Sequence, residues 1–262
     1  NHILEFGKVM ALVTKKAQTS LGKELTSKIT PTNNSLLINR QLKETNHALR
    51  IIRLYKEPPF GGIRDLVETL KRAHIYSVLR PTDFLDVVAL IDAINNSIKF
   101  YNQVKENEIE GIELDEYYYN LVSVPHLKRE IETIVTPDGT IYDTATGELH
   151  KIRNKIQRNQ SKVQEKLNLI LHRESKKLAE SLITIRGDRF VLPIKLLEKN
   201  NFNGTIIDYS SSGETVYMEP SVVNQINNEI SSLKADEAKE IDKILRTLTI
   251  SVADQYNPLI NN

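Results

Sequence analysis

The sequence predicts a mainly α-helical protein with one small antiparallel β insert, and three observations support this. Glycine and proline are scarce, at 10 and 9 of 262 residues, and a chain that rarely turns is usually helical. Apolar residues recur at helical spacing over most of the chain. Only between residues 182 and 219 does the spacing change to the alternation that is typical of strands.

The first segment, residues 1–142, is predicted to form a helical core. Two sets of apolar positions show the helical period: Ile38, Leu42, Thr45, Leu49 and Ile52, and then Phe84, Val87, Val88, Ile91, Ile94 and Ile98. Proline occurs at residues 31, 58, 59 and 81, where the pattern stops and restarts. We therefore expect several helices joined by short turns.

Two long helices are predicted after this core. The first runs from about residue 143 to 181, and the second occupies the segment 220–262 after Pro220. Each carries an apolar stripe that is too narrow for a position inside a globular core. The two helices are therefore expected to pack on each other as an antiparallel pair.

The insert between them, residues 182–219, is predicted to be a small antiparallel sheet at the tip of the helix pair. Gly187-Asp188 lies between two apolar runs as a hairpin turn, and Ser210 to Gly213 form a loop between two further strands. Four short strands enclose little core of their own, so we expect this tip to be mobile.

The residue inventory argues against several chemistries. The chain has no cysteine, which excludes disulfides and thiolate metal sites and favours a reducing, cytoplasmic location. The six histidines are scattered, and no loop with a phosphate-binding Gly-Lys-Ser/Thr ending is present. We therefore predict no catalytic residue, no metal and no bound cofactor in this chain. The acidic residues between 106 and 116 are interpreted as a solvated face or linker.

The net charge of +1, from 35 basic and 34 acidic residues, conceals a basic segment. From Glu148 to Glu180 the first long helix carries nine Lys or Arg and four Glu, which leaves +5. Such a helix could follow a nucleic-acid backbone through phosphate contacts. The alternative is a solvated face that is balanced by acids of the second helix, and charge alone does not separate the two. These acids are Asp236, Glu237, Glu240 and Asp242.

Several short strings resemble the family of the second bacterial MutS paralogue (MutS-two). The strings span nearly the whole chain, and they occupy residues 4–9, 21–24, 58–62, 186–195 and 210–220. The most extended one reads Arg186-x-Asp188-Arg189-Phe190-Val191-x-Pro193-Ile194-Lys195. The predicted order of helical core, long helix, small sheet and long helix is also similar to the core, lever and clamp region of MutS proteins.

The resemblance implies a bacterial, homodimeric, ATP-driven clamp protein with a C-terminal Smr nuclease domain. It implies DNA as a partner in the suppression of homologous recombination, and the ribosome with its rRNA as a partner in the splitting of collided ribosomes. The implied ATP and Mg²⁺ belong to an ATPase domain whose motifs this sequence does not contain. No ATPase or nuclease residue is therefore assigned, and we expect this chain by itself not to be an enzyme.

Eight basic residues are the predicted nucleic-acid contacts. Four lie on the tip, Arg186, Arg189, Lys195 and Lys199, and four on the first long helix, Arg153, Lys155, Arg158 and Lys162. The alternative hypothesis is a coiled-coil dimerisation or protein-interaction scaffold that does not touch nucleic acid.

Overall fold

The computed structural model describes residues 5–61 and 63–262, which form ten α-helices and four β-strands. Leu4 and Gly62, which belong to two of the motifs above, lie outside the described residues. The predicted mainly helical fold with one small antiparallel sheet is confirmed. Among the described residues, no helix combines the length and the apolar character that crossing a membrane requires.

The elements follow one another along the chain in two compact units, residues 1–142 with 245–262, and residues 143–244. In order they are α1 (Phe6–Lys16), α2 (Ser20–Ser27), α3 (Ser35–Leu54), α4 (Val67–His74), α5 (Pro81–Glu106), α6 (Asp115–Tyr119), α7 (Pro125–Ile134), α8 (Gly147–Arg173), β1 (Thr184–Arg186), β2 (Arg189–Lys195), β3 (Gly204–Tyr209), β4 (Thr215–Pro220), α9 (Ser221–Asp254) and α10 (Tyr256–Asn261). Helix α9 begins in the second unit and ends in the first.

Helix α5 is central to the first unit. Its predicted apolar face is buried, with Phe84, Val87 and Ile91 fully enclosed. Proline at the first helical position suits the start of this helix, because the ring presets φ and the missing N–H would have no partner there. The predicted helical period of this segment is therefore confirmed.

Helix α3 differs from the prediction. Leu42, Leu49 and Ile52, which the periodicity placed in the core, are exposed, and its buried residues are His47 and Ile51. The helical spacing of the apolar residues identified an apolar stripe on α3, but it did not show whether this stripe packs against another part of the chain. The opposite side of α3 turns inward because the segment after α5 packs on it, where the Leu114 N–H donates to His47 Nδ1 at 3.4 Å.

That segment is the acidic stretch for which the sequence predicts a solvated face or linker. It is anchored: the Arg50 guanidinium donates to Glu110 at 2.7 Å, and Lys105 and the Tyr101 hydroxyl both reach Asp115, at 2.6 and 2.5 Å. Four of the six acidic residues, Glu106, Glu108, Glu110 and Glu116, are exposed, as expected of a solvated face. The half-buried Glu113 and Asp115 contact His47 and Lys105 and help to hold the loop on α3 and α5.

The first long helix is shorter at both ends than its predicted span. Helix α8 begins after Thr146, whose hydroxyl accepts the Leu149 N–H at 3.0 Å. It ends at Arg173, since a 3₁₀ turn over Ser175–Lys177 follows and Leu178 then pairs with Ile194 of the sheet. At 1.5 Å per residue, α8 is about 40 Å long.

Helices α8 and α9 run in opposite directions within the second unit. Thr146 donates to Glu240 at 2.9 Å and Arg153 to Glu237 at 2.6 Å, so residue numbers fall along α9 as they rise along α8.

The four strands form one antiparallel sheet in the order β1-β2-β4-β3. The predicted Gly187-Asp188 hairpin is confirmed, and both residues have positive φ, 53° and 61°. Positive φ at both central positions defines the turn that matches the twist of paired strands, and it explains why a glycine stands there.

The sheet shares a core with the two helices. Leu192, Ile194 and Val216 of the sheet pack with Leu167 of α8 and Ile230 of α9, and all are almost completely buried. The predicted mobility of the tip rested on the absence of such a core. That premise is wrong, because the strands bury their apolar face against α8 and α9.

Candidate nucleic-acid interface

Helix α8 buries one face and exposes the other. The buried positions recur every three or four residues and are Leu149, Ile152, Ile156, Asn159, Val163, Leu167 and Ile170. The remaining circumference faces solvent, and the charged residues are not spread evenly over it.

A basic stripe runs along this exposed surface. It consists of the five exposed cations Lys151, Lys155, Arg158, Lys162 and Lys166. At 100° per residue these positions fall within a sector of about 80°, and they cover about 22 Å of the helix axis. Sequence reasoning missed Lys151 and Lys166 as members, although their i, i+4 spacing to Lys155 and Lys162 is the signal that would have included them.

Most of the stripe has no internal counter-charge. Lys151 lies 4.0 Å from Glu148. Within residues 5–61 and 63–262, no ion pair involves Lys155, Arg158, Lys162 or Lys166. Three of the four acids of α9 have other partners, since Glu237 contacts Arg153, Asp236 contacts Lys239 and Glu240 contacts Lys243. The alternative of a face balanced by α9 therefore does not describe these four cations.

Arg153 differs from the other predicted contacts on α8. Its side chain is partly buried and bonds Glu237 and Asp143. Burial tends to lower the pKa of the guanidinium, but these two carboxylates outweigh it and raise that pKa. Arg153 thus ties α8 to α9 and to the chain before it, on a different side of the helix from the stripe.

Arg189 of the tip is also partly buried and paired. Its Nη1 donates to both oxygens of Glu219, at 2.7 and 2.8 Å, and its Nη2 donates to Asn228 at 2.5 Å. The Glu219 side chain is only 1% exposed, and Asn224 and Asn227 also donate to it. We call Arg189, Glu219, Asn224, Asn227 and Asn228 the Glu219 network; it fastens β2 and β4 to the start of α9.

The other tip residues are more accessible. The Arg186 guanidinium lies over the Tyr217 ring at 4.2 Å and 3.7 Å from Asp208. Lys195 is exposed and donates to the Lys176 carbonyl at 3.0 Å, so these two lysines lie side by side beyond the end of α8. Lys199 is half-buried, in the 3₁₀ turn that follows β2.

The structure thus brings Lys155, Arg158 and Lys162 together on one face and leaves Arg153 and Arg189 in internal ion pairs. Among the described residues, no group of three or more His, Asp or Glu is arranged to hold a metal ion. Chemically, the stripe offers a row of exposed cations along one helix face, which suits a polyanion more than a compact ligand.

Comparison with known proteins gives consistent relatives. Proteins called Endonuclease MutS2 from Geobacillus sp. (strain WCH70), Clostridium botulinum (strain Eklund 17B / Type B) and Bacillus cereus (strain B4264) are 34%, 35% and 30% identical to the chain. The alignments cover 100%, 95% and 99% of this chain but only 34%, 32% and 33% of the relatives. The chain therefore spans about a third of their length. It matches no protein-family model.

Proposed function

The chain belongs to the MutS2 family, and we propose that it is the core, lever and clamp part of such a protein and contacts nucleic-acid phosphates along the basic stripe of α8. In this proposal α8 and α9 are the lever helices and the sheet is the clamp. The endonuclease activity in the relatives' names belongs to parts of the longer protein that this chain does not include, as do ATP and Mg²⁺ binding.

The observation that carries the proposal is the alignment of unpaired cations. Lys155, Arg158, Lys162 and Lys166 share one face of α8 without an ion pair among the described residues. The exposed Glu165 lies at the edge of this row, but the four cations outnumber it, and a face with a net positive charge attracts a polyanion. Contacts of this kind position a protein on the backbone and do not read the base sequence.

The shared core supports the lever role. The sheet buries its apolar face against both helices, and the Glu219 network joins β2 and β4 to α9. A displacement of α8 and α9 therefore carries the sheet with it. We propose that the ATP-driven change of the longer protein reaches the clamp by this route.

DNA and ribosomal RNA are the two targets that the family resemblance suggests, in the suppression of recombination and in the splitting of collided ribosomes. Both present the phosphate backbone that the stripe would contact. The proposed contacts are to phosphates, which position a protein on the backbone without reading bases, so we expect little sequence preference.

The test compares two variants that lose the same charge. The first replaces Lys155, Arg158, Lys162 and Lys166 by Gln; the control replaces the exposed Lys15, Lys16, Lys23 and Lys43 of the first unit by Gln. Fluorescence anisotropy would measure the Kd for a labelled DNA duplex and for an rRNA fragment. We expect the first variant to bind at least about tenfold more weakly and the control to bind like the original chain. Equal losses in both variants would contradict the proposal.

A further inference from the structure

The first unit contains an apolar cavity of about 520 Å³ between its helices. Helices α3 and α5, the segment between α3 and α4, and residues 114–121 line it together with Asn262. Most of the lining side chains are aliphatic or aromatic, among them Ile51, Phe60, Ile63, Ala93, Ile94 and Leu114. Protein interiors leave few voids larger than a water molecule, so a cavity of this size indicates a ligand.

The lining belongs to the inside of the unit, which favours a small molecule over another part of a longer protein. Of the described residues that line the cavity, only Ile52 and Tyr117 are exposed, and the others are buried or half-buried. A surface that receives another domain keeps a contiguous apolar patch exposed in the isolated unit. Cavities of about 300–1,000 Å³ between packed helices are typical of small-molecule sites.

Glu44 brings a carboxylate into this apolar lining. Its side chain is 18% exposed. Its Oε1 accepts from Arg40 Nε at 2.8 Å and from the Tyr117 hydroxyl at 3.3 Å. Among the described residues, no hydrogen bond reaches its Oε2. A mostly buried carboxylate oxygen costs free energy unless a donor satisfies it, so we expect the ligand to supply that donor.

The charges at Glu44 favour a cationic donor. Arg40 is shared between two acids, because its Nη2 also contacts Glu116 at 3.4 Å. Two carboxylates and one guanidinium leave one net negative charge in this group. An ammonium group would form a charge-assisted hydrogen bond with Glu44, whereas a carboxylate or phosphate on the ligand would be repelled.

The aromatic part of the lining favours a ring system as the body of the ligand. Tyr118 stacks on Tyr101 with 4.0 Å between the ring centroids and 1° between the planes. Phe60 and Tyr117 are the other aromatic residues in the lining. Such rings prefer offset-stacked or edge-to-face contacts with another ring.

We propose that this cavity is a binding site for a small aromatic amine. Its ring system packs against the apolar lining, and its ammonium group donates to Glu44 Oε2. This proposal does not depend on nucleic-acid binding by α8.

The first test uses two probes of the same shape, 1-naphthylmethylamine and the uncharged 1-naphthalenemethanol. Isothermal titration calorimetry would measure their binding to the 262-residue chain. We expect a Kd below about 1 mM for the amine and about tenfold weaker binding of the alcohol, since only the amine brings a charge to Glu44. In Glu44→Gln the two probes should bind alike.

The second test fills the cavity from α5. Ala93→Leu places a larger side chain in the lining and should weaken binding of the amine at least about tenfold. The matched control is Ala89→Leu, the same change at an exposed position of α5, and it should bind like the original chain. The urea midpoint of Ala93→Leu should stay the same or rise, because the leucine gains apolar contacts.

Three results would overturn the proposal. The first is no binding of the amine below about 1 mM, or equal losses in Ala93→Leu and Ala89→Leu. The second is a preference for the amine that persists in Glu44→Gln. The third is an amine that binds the 262-residue chain but not a full-length protein that contains it, since another segment would then fill the cavity.

Discussion

The Glu219 network gives a prediction whose size follows from its contacts. Oε1 of Glu219 accepts from Arg189 and Asn227, both at 2.7 Å, and Oε2 accepts from Arg189 and Asn224, both at 2.8 Å. In Glu219→Gln, the new amide must replace one of these oxygens. Whichever one it replaces, an NH₂ group then faces two donors, and the Arg189 charge loses its partner.

Loss of one partner from a buried ion pair costs about 3–5 kcal/mol of unfolding free energy. Arg189 keeps 26% of its side chain exposed and can regain water, so we expect the lower end, about 3 kcal/mol. The control is Glu214→Gln, an exposed glutamate in the loop before β4, with an expected change within about 0.5 kcal/mol.

The assay is urea unfolding followed by circular dichroism, with hydrogen exchange of β2 and β4 to show that the loss is local to the sheet. A loss below about 1 kcal/mol would refute the reasoning. It would mean that the apolar core alone holds the sheet on α9.

Two further predictions concern the cores of the two units. Leu167→Ala should lower the free energy of unfolding by about 2–5 kcal/mol, because Leu167 is fully enclosed between the sheet and the helices. The control is Leu169→Ala, two residues away, which removes an exposed side chain and should change the free energy of unfolding by less than about 0.5 kcal/mol. The midpoints of urea unfolding of the two variants give the comparison. Burial lowers the pKa of His47 below 6.5, with Glu113 opposing that shift, so the unfolded chain takes up the proton first. Stability of the first unit should therefore fall as pH drops below 6.5, by at most about 1.4 kcal/mol per pH unit, and His47→Gln should reduce this slope in urea titrations at several pH values.

The sequence predicted the elements whose signals are local. Helix α5 shows its period because its partners cover one continuous face, and the Gly187-Asp188 turn depends on two adjacent residues. The buried side of α3 could not be predicted, because it depends on a contact with Leu114, which lies 67 residues after His47 in the chain. The helical spacing revealed the apolar residues Leu42, Leu49 and Ile52 on one face of α3, but it did not show that this face is exposed.

The candidate site shows the same difference between features set by local sequence and features set by contacts distant in the chain. Counting charges on α8 correctly marked a basic helix, but it grouped Arg153 with the stripe because the count ignores faces and distant partners. Arg189 belongs to an internal pair because Glu219 lies 30 residues further along and next to it in space. Only the structure shows which cations remain free to meet a ligand.

The most direct measurement of the central proposal is the salt dependence of duplex DNA binding by the original chain and by the variant with Gln at positions 155, 158, 162 and 166. Each phosphate contact contributes about 0.9 to the slope of log K against log salt, so loss of four contacts should make the slope shallower by about 3.6. The control variant at Lys15, Lys16, Lys23 and Lys43 should keep the original slope. An unchanged slope in the stripe variant would contradict the proposal that α8 lies along the nucleic-acid backbone.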